Sequence, residues 1–301
     1  MTSRTVGEGA PPSEPRPRVQ FPMREIEKAR TRLRWLGRVA PFLASRIALR
    51  YFLLVRQHPR PAREEEWLAR ATRFEITGTN RLSGFRWGQG RRVLLVHGWE
   101  GRGTQMGAFA TALAAAGREV VAFDAPGHGR SEGYSSLRQF AIAVRDVVAQ
   151  EGPFDGFIGH SFGVAGACFA LTDEGVGVEA LGKRLVFVAP PDDLHFFVGY
   201  FERLLELSPR VTRGFERRLE RLLRAPWAEA RFCTSAPSAS VPLLIVADQD
   251  DQETPIQGAE ALAEAWPMGR LLRTQGLGHR RILRDPEVVR SVVDFLDDET
   301  E

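Results

Sequence analysis

Apolar positions recur along this chain with two different periods, and the change from one to the other divides it. Over residues 25–58, Leu33, Leu36, Val39, Leu43, Ile47, Phe52 and Val55 return at near-helical spacing with arginines between them. That pattern predicts a basic amphipathic helical segment, broken or restarted at Pro41. Arg46 and Arg50 interrupt the apolar run, which falls short of the ~18 apolar residues of a membrane span. Such a segment ordinarily packs on its own domain. With Trp35, Phe42 and Phe52 among its arginines it also has the make-up of a helix that makes weak contact with a membrane surface. A short helix is expected over 64–70, and 73–77 with 81–87 flank Gly78-Thr79-Asn80 as a β-hairpin.

The rhythm then changes to short, continuously apolar runs at 93–97, 120–124, 156–160, 185–189, 243–247 and 270–273, most of them separated by helical stretches. Strands that are apolar on both faces and alternate with helices predict an α/β fold, a mostly parallel sheet covered by helices on both sides. Ligands of such sheets bind beyond the carboxyl ends of the strands. The interval from Pro190 to Pro242 is too long for a simple crossover, and 192–230 is helical in pattern and rich in Phe, Leu and Arg, which predicts a small helical cap. The expected organisation is a disordered tail at 1–20, the amphipathic helical segment at 21–71, a core at 72–190 and 236–301, and the cap insertion at 191–235.

A hydrophobic content of 43% is ample for a buried core. The net charge of +3 comes from basic residues that are almost all arginine, interspersed with acids and without a lysine-rich stripe, so no nucleic-acid partner is expected. Cys168 and Cys233 lack metal-ligand spacing and make no disulfide framework. With no apolar stretch of a secretory signal in the first twenty residues, this predicts a reduced, cytoplasmic setting, peripheral to a membrane if residues 25–58 lie on one. No cofactor or metal fingerprint is found, and the oligomeric state is open.

The chemistry-bearing motifs stand at the ends of the expected strands. The run 156–160 leads into Gly159-His160-Ser161-Phe162-Gly163 and at once into a helical run, the strand–turn–helix context of a Gly-x-Ser-x-Gly nucleophile elbow. Gly159 and Gly163 let the backbone close around a serine held on a sharp turn. The first parallel strand ends in His97-Gly98-Trp99-Glu100-Gly101, with Gly98 where the chain must bend towards the elbow. Acyl transfer through a tetrahedral intermediate needs fixed backbone donors for its oxyanion, and the amides of Trp99 and Phe162 are the candidates.

The next strand ends in Asp124-Ala125-Pro126-Gly127-His128-Gly129-Arg130-Ser131, and with it the sequence resembles the α/β-hydrolase superfamily. The resemblance implies that Asp124 and His128 shape the loop without being catalytic. It also covers Asp248-Gln249-Asp250-Asp251, where an acid four residues before Pro255 marks Asp251 as the group that orients the base, with Asp250 as runner-up and Asp248 where the family usually has glycine. Gly276-Leu277-Gly278-His279 resembles the family's histidine loop, and His279 is the only histidine after Asp251. His58 and His195 are read as a loop and a cap residue.

The function implied is a serine hydrolase of carboxylic esters or thioesters, acting on a small molecule through an acyl-enzyme. Phe196, Phe197 and Tyr200 of the cap favour an apolar acyl or alkyl group. Amide, lactone or carbon–carbon hydrolysis and a non-catalytic binding protein on the same fold are the alternatives; the last would be expected to lack a member of the Ser, Asp, His set. No such motif precedes residue 90, so the N-terminal segment is expected to be dispensable for the chemistry.

Overall fold

In a computed structural model of the protein, residues 23–224, 226 and 241–298 are described. The expected tail at 1–20 and the end of the expected cap lie outside them. The chain begins with α1 (Met23–Val39) and α2 (Pro41–Phe52), and Pro41 starts α2 at the position where a missing N–H costs nothing. After α3 (Ala62–Ala69) come the hairpin strands β1 (Thr72–Thr77) and β2 (Arg81–Trp87). The α/β alternation follows: β3 (Arg91–Val96), α4 (Gly107–Ala115), β4 (Arg118–Phe123), α5 (Leu137–Glu151), β5 (Gly156–His160), α6 (Phe162–Asp173), α7 (Val178–Leu181) and β6 (Arg184–Val188). Among the described residues, two helices, α8 (His195–Leu205) and α9 (Pro209–Leu223), lie between β6 and β7 (Leu243–Asp248). The chain closes with α10 (Ile256–Ala265), β8 (Gly269–Thr274), α11 (Gly278–Arg281) and α12 (Pro286–Asp297).

The eight strands form one sheet in the order β1-β2-β4-β3-β5-β6-β7-β8, antiparallel at β1 and β2 and parallel from β4 to β8. Successive residues of the central strands are buried on opposite faces, which is why the runs are continuously apolar. Leu94, Val96, Val121 and Phe123 pack with Phe140 of α5 and Val164 of α6, whereas Val93, Leu95, Val120 and Ala122 pack with Phe109 of α4 and Val292 of α12. The strand order reverses at β3, with β4 on one side and β5 on the other, and a crevice opens there beyond the carboxyl ends. At the opposite end, the buried Arg118 ties α12 to the sheet through Asp297 at 2.7 Å, Asp155 at 2.6 Å and the Leu296 carbonyl at 2.9 Å.

The N-terminal helices pack on α8 and α9, and together the four form a layer over the strand ends. Ile26, Leu33, Ala44 and Ala48 share a hydrophobic cluster with Val198, Phe201, Val211 and Phe215. The Phe52 ring sits 5.1 Å from that of Phe201 and 5.4 Å from that of Phe215, both edge-on. Polar contacts close the seam: Arg30 donates to the Leu204 carbonyl at 2.7 Å, and Arg218 donates to Ser45 Oγ at 3.1 Å.

One expectation is corrected here. Cys168 is disulfide-bonded rather than free, so the cysteine usage gives no argument for a reducing compartment. Cys233 lies outside the described residues. No helix among the described residues is long and apolar enough to cross a membrane.

Candidate active site

Ser161 stands on the turn between β5 and α6 with φ +50° and ψ −121°, a backbone conformation that costs a non-glycine residue energy and persists only where its surroundings enforce it. The enforcement is visible. A Cβ on Gly163 would run into the carbonyl oxygens of Val96 and His97, so only glycine lets α6 start this close to β3. Because β3 and β5 are paired neighbours, the segments that follow them meet: a Cβ on Gly98 would lie 3.1 Å from Ser161 Cβ. Gly159 is packed under the side chains of Phe157 and Val164.

Asp251 follows β7 and His279 follows β8, and the structure brings them together. His279 Nδ1 is 2.7 Å from Asp251 Oδ2. Every remaining acceptor position of the carboxylate is used: Oδ1 accepts from the amides of Glu253 at 2.8 Å and Thr254 at 3.0 Å, and Oδ2 also accepts from the Thr254 hydroxyl at 2.9 Å. Burial pushes the Asp251 carboxyl up, but the His279 contact and these amides outweigh it and hold it below its usual range. A carboxylate that stays ionised while buried fixes Nδ1 of the imidazole as the protonated nitrogen and leaves Nε2 free to take a proton. Glu253 Oε2 lies 3.9 Å from that Nε2.

Asp250 does not reach the imidazole; its Oδ2 accepts from the Gly276 amide at 2.9 Å. Asp248, which stands where the superfamily usually has glycine, is fully buried and braces the histidine loop. Its carboxylate accepts from the amides of Asp250 and Leu277, each at 3.0 Å, and from the Thr274 hydroxyl at 2.7 Å. Burial raises its pKa, and these donors with the Gly278 amide more than offset that and lower it.

The loop after β3 is held by two buried histidines. His97 Nδ1–H donates to the Gly98 carbonyl at 2.7 Å while its Nε2 accepts from the Ala125 amide at 2.9 Å. His128 Nδ1–H donates to the Pro126 carbonyl at 3.1 Å while its Nε2 accepts from the Glu100 amide at 3.0 Å. Each ring is neutral with its tautomer set by backbone, and burial lowers both pKa values, that of His128 to about 4. Asp124 accepts from the amides of Gly103 at 2.8 Å and Arg130 at 2.9 Å. The Trp99 ring meets that of Phe162 edge-on at 5.0 Å, and Phe162 opens α6, where first-turn amides have no intrahelical acceptor.

These residues share one cavity of about 400 Å³, whose wall includes Ser161, His279, Trp99 and Phe162. From α8 and α9 it takes Phe197, Tyr200, Phe201 and Leu223. Phe196 is not in that wall, contrary to the sequence expectation; its ring packs edge-on against Phe197 at 5.6 Å. The spacing of residues 197, 200 and 201 on one helical face was the available signal. His195 opens α8 beside Asp193 and is not in the cavity wall.

The N-terminal segment is also part of the site. Phe52, Leu53, Leu54 and His58 line the cavity, and His58 Nε2 is 3.2 Å from Glu100 Oε2, in the loop that carries Trp99. Arg102 donates to the His58 carbonyl at 2.7 Å and to Glu64 at 2.9 Å. Residues 52–64 thus strap this loop in place, so the segment expected to stand apart from the chemistry borders the cavity.

Comparison with known proteins bears on the fold and the family. A search of curated proteins finds no match. Among solved structures, an esterase of Pyrococcus furiosus superposes with a TM-score of 0.59 at 18% identity, covering 81% of this chain and 98% of that one. An esterase of Thermogutta terrifontis gives 0.55 at 20% identity, covering 75% and 98%, and a bromoperoxidase of Bacillus anthracis gives 0.56 at 16%, covering 76% and 100%. At such identities the likeness is one of fold, shared by proteins of differently named chemistry. Residues 93–292, from β3 with its His-Gly loop to α12, match the alpha/beta hydrolase family, and the chain belongs to that family.

Proposed function

We propose that this hydrolase cleaves a carboxylic ester or thioester carrying an apolar acyl or alkyl group, through an acyl-enzyme on Ser161. The observation that carries the reading is the 2.7 Å contact between His279 Nδ1 and the fully used Asp251 carboxylate, in the same cavity wall as a serine on a strained elbow. In the reaction, His279 Nε2 takes the hydroxyl proton of Ser161 as Oγ attacks the carbonyl carbon. The carbonyl π pair moves onto oxygen, where the amides of Trp99 and Phe162 receive it. Collapse expels the alcohol or thiol, which leaves with the proton from His279. Water then repeats the sequence on the acyl-enzyme and releases the acid and Ser161. Esterases among the structural neighbours are consistent with this chemistry.

The test is labelling with an alkyl fluorophosphonate followed by peptide mapping. One adduct, on Ser161, is the expected result. Labelling elsewhere, or none while p-nitrophenyl butyrate is hydrolysed, overturns the assignment.

The aromatic wall sets the expected substrate range. Phe197→Ala and Tyr200→Ala each remove an apolar contact worth about 1–3 kcal/mol in discrimination. Each is expected to shift the preferred acyl-chain length by roughly tenfold in relative kcat/KM, with the fluorophosphonate rate changed less. Chain-length profiles measured beside melting temperatures decide the point: an unchanged profile with lowered melting leaves these rings a packing role only.

A further inference from the structure

We propose that the exposed face formed by α1, α2 and α9 docks on an anionic membrane surface, beside the mouth of the cavity. The first observation is where the exposed apolar side chains are. Of the eight large hydrophobic residues exposed among those described, six, Met23, Trp35, Val39, Phe42, Leu43 and Leu54, come from the N-terminal segment, with Trp35 64%, Phe42 73% and Val39 78% exposed; Tyr134 and Met268 lie elsewhere. Soluble domains scatter such residues; a cluster on one element marks a surface with a partner.

The second observation is charge. Helices α1, α2 and α9 carry thirteen arginines and lysines against four glutamates, a net +9 on a chain whose total is +3, so the rest of the molecule is net negative. On α9 the residues Arg210, Arg213, Arg217 and Arg221 form one stripe at helical spacing, and they line a shallow depression with Phe42. Arg218 lies over the Phe42 ring at 4.2 Å and Arg38 over the Trp35 ring at 5.6 Å, so cations and apolar rings occupy the same face. Burial first, and then Arg221, Arg46 and Arg217, lower the pKa of Arg218; a folded surface that gathers like charges is relieved by an anionic partner.

A bilayer with anionic headgroups satisfies both halves, since rings and aliphatic side chains enter the acyl boundary while arginines meet phosphates. The exposed stripe of α2 runs through Phe42, Leu43, Arg46 and Arg50 towards Leu54, and Leu54, Leu53 and Phe52 line the cavity. Docking would therefore present the cavity to esters dissolved in the bilayer. That consequence rests on the proposed hydrolase reading, whereas docking does not.

The experiment is co-sedimentation of the full chain with vesicles of phosphatidylcholine alone or with phosphatidylglycerol added, at low and high salt, repeated on the Ser161→Ala protein. Binding to the anionic vesicles that weakens with salt, and equally in both proteins, is expected. With about 1 kcal/mol for each arginine near the surface, the double charge reversal Arg213→Glu/Arg217→Glu should weaken binding by at least thirtyfold, roughly. Trp35→Ser/Phe42→Ser should weaken it by roughly tenfold from lost apolar burial. All these positions are on the surface, and unchanged melting verifies folding. No binding to anionic vesicles at low salt, equal binding to both vesicle types, or variants that bind as the parent does would each overturn the proposal. So would arginine-dependent binding of a DNA duplex, or self-association that buries this face, in place of vesicle binding. Because the assay reads binding alone, a failure of the hydrolase reading is told apart by the labelling of Ser161.

Discussion

Asp251→Asn is expected to lower kcat for a short activated ester by about three to four orders of magnitude, with the fold intact. The reason is tautomeric. In the parent protein Oδ1 accepts two backbone amides, from Glu253 and Thr254, so an asparagine keeps its carbonyl oxygen there and turns its NH₂ to the position of Oδ2. That NH₂ faces His279 Nδ1, which must then accept, and the ring proton moves to Nε2. An imidazole protonated at Nε2 cannot take the proton of Ser161. Asp250→Asn makes no such demand, because an amide oxygen can still accept from the Gly276 amide, and less than tenfold is expected from it, roughly the loss of one partly exposed hydrogen bond. Turnover of p-nitrophenyl acetate by both variants, with their melting temperatures, is the measurement. If the two effects came out reversed, Asp250 would be the orienting group.

What the sequence carried and what it did not can be read from individual residues. The parallel strands announced themselves because both of their faces are buried, so Leu94 and Leu95 are equally apolar although they pack against different helices. Strand-end motifs were readable for a related reason: Gly163 and Gly98 stand where the backbones of adjacent strands come too close for a Cβ, and the sequence has glycine at both. The partner of the N-terminal helices was not readable. An amphipathic stripe states that a face is buried but not against what, and only the fold shows Phe52 packed against Phe201 and Phe215. Asp248 was opaque too, because an acid after a strand reads as solvated surface until Thr274 and Leu277 are seen donating to it across the gap between strands. For Phe196 and Phe197, adjacent on one helix, composition could not choose; a difference of one position turns the side chain by about 100°.

Acid is expected to destabilise the protein steeply, beginning near pH 6.5, and the cause lies in three buried histidines. His97 and His128 each accept a backbone amide at Nε2 while donating from Nδ1, so a second ring proton would set N–H against N–H. His160 donates from Nε2 to the His279 carbonyl at 3.0 Å, and its buried Nδ1 has no acceptor for a new proton. Burial accordingly lowers all three, His128 to about 4, His160 to about 3 and His97 well below 6.5. Between about pH 6.5 and 4 the unfolded chain binds these three protons and the folded protein does not, so the stability present above pH 6.5 is lost as pH falls. Three carboxyls act in the opposite direction. Burial, followed by the neighbouring Glu216, raises Glu202 to about 7, and burial likewise raises Glu216 and Asp124, so their proton uptake favours the folded state as pH falls; solvent screens the part-exposed Glu202 and Glu216 and reduces their offset. The net difference is about two protons, or roughly 2–3 kcal/mol of stability lost per pH unit near pH 5.5, enough to consume much of a typical domain's margin within two units. Urea unfolding at pH 7.5, 6.5 and 5.5 reads the slope directly. His128→Gln keeps one donor and one acceptor without titrating, and it should reduce the slope by roughly 1.4 kcal/mol per pH unit. A urea midpoint that stays level from pH 7.5 to 5.5, or a His128→Gln slope equal to the parent's, would show that these rings are not held neutral.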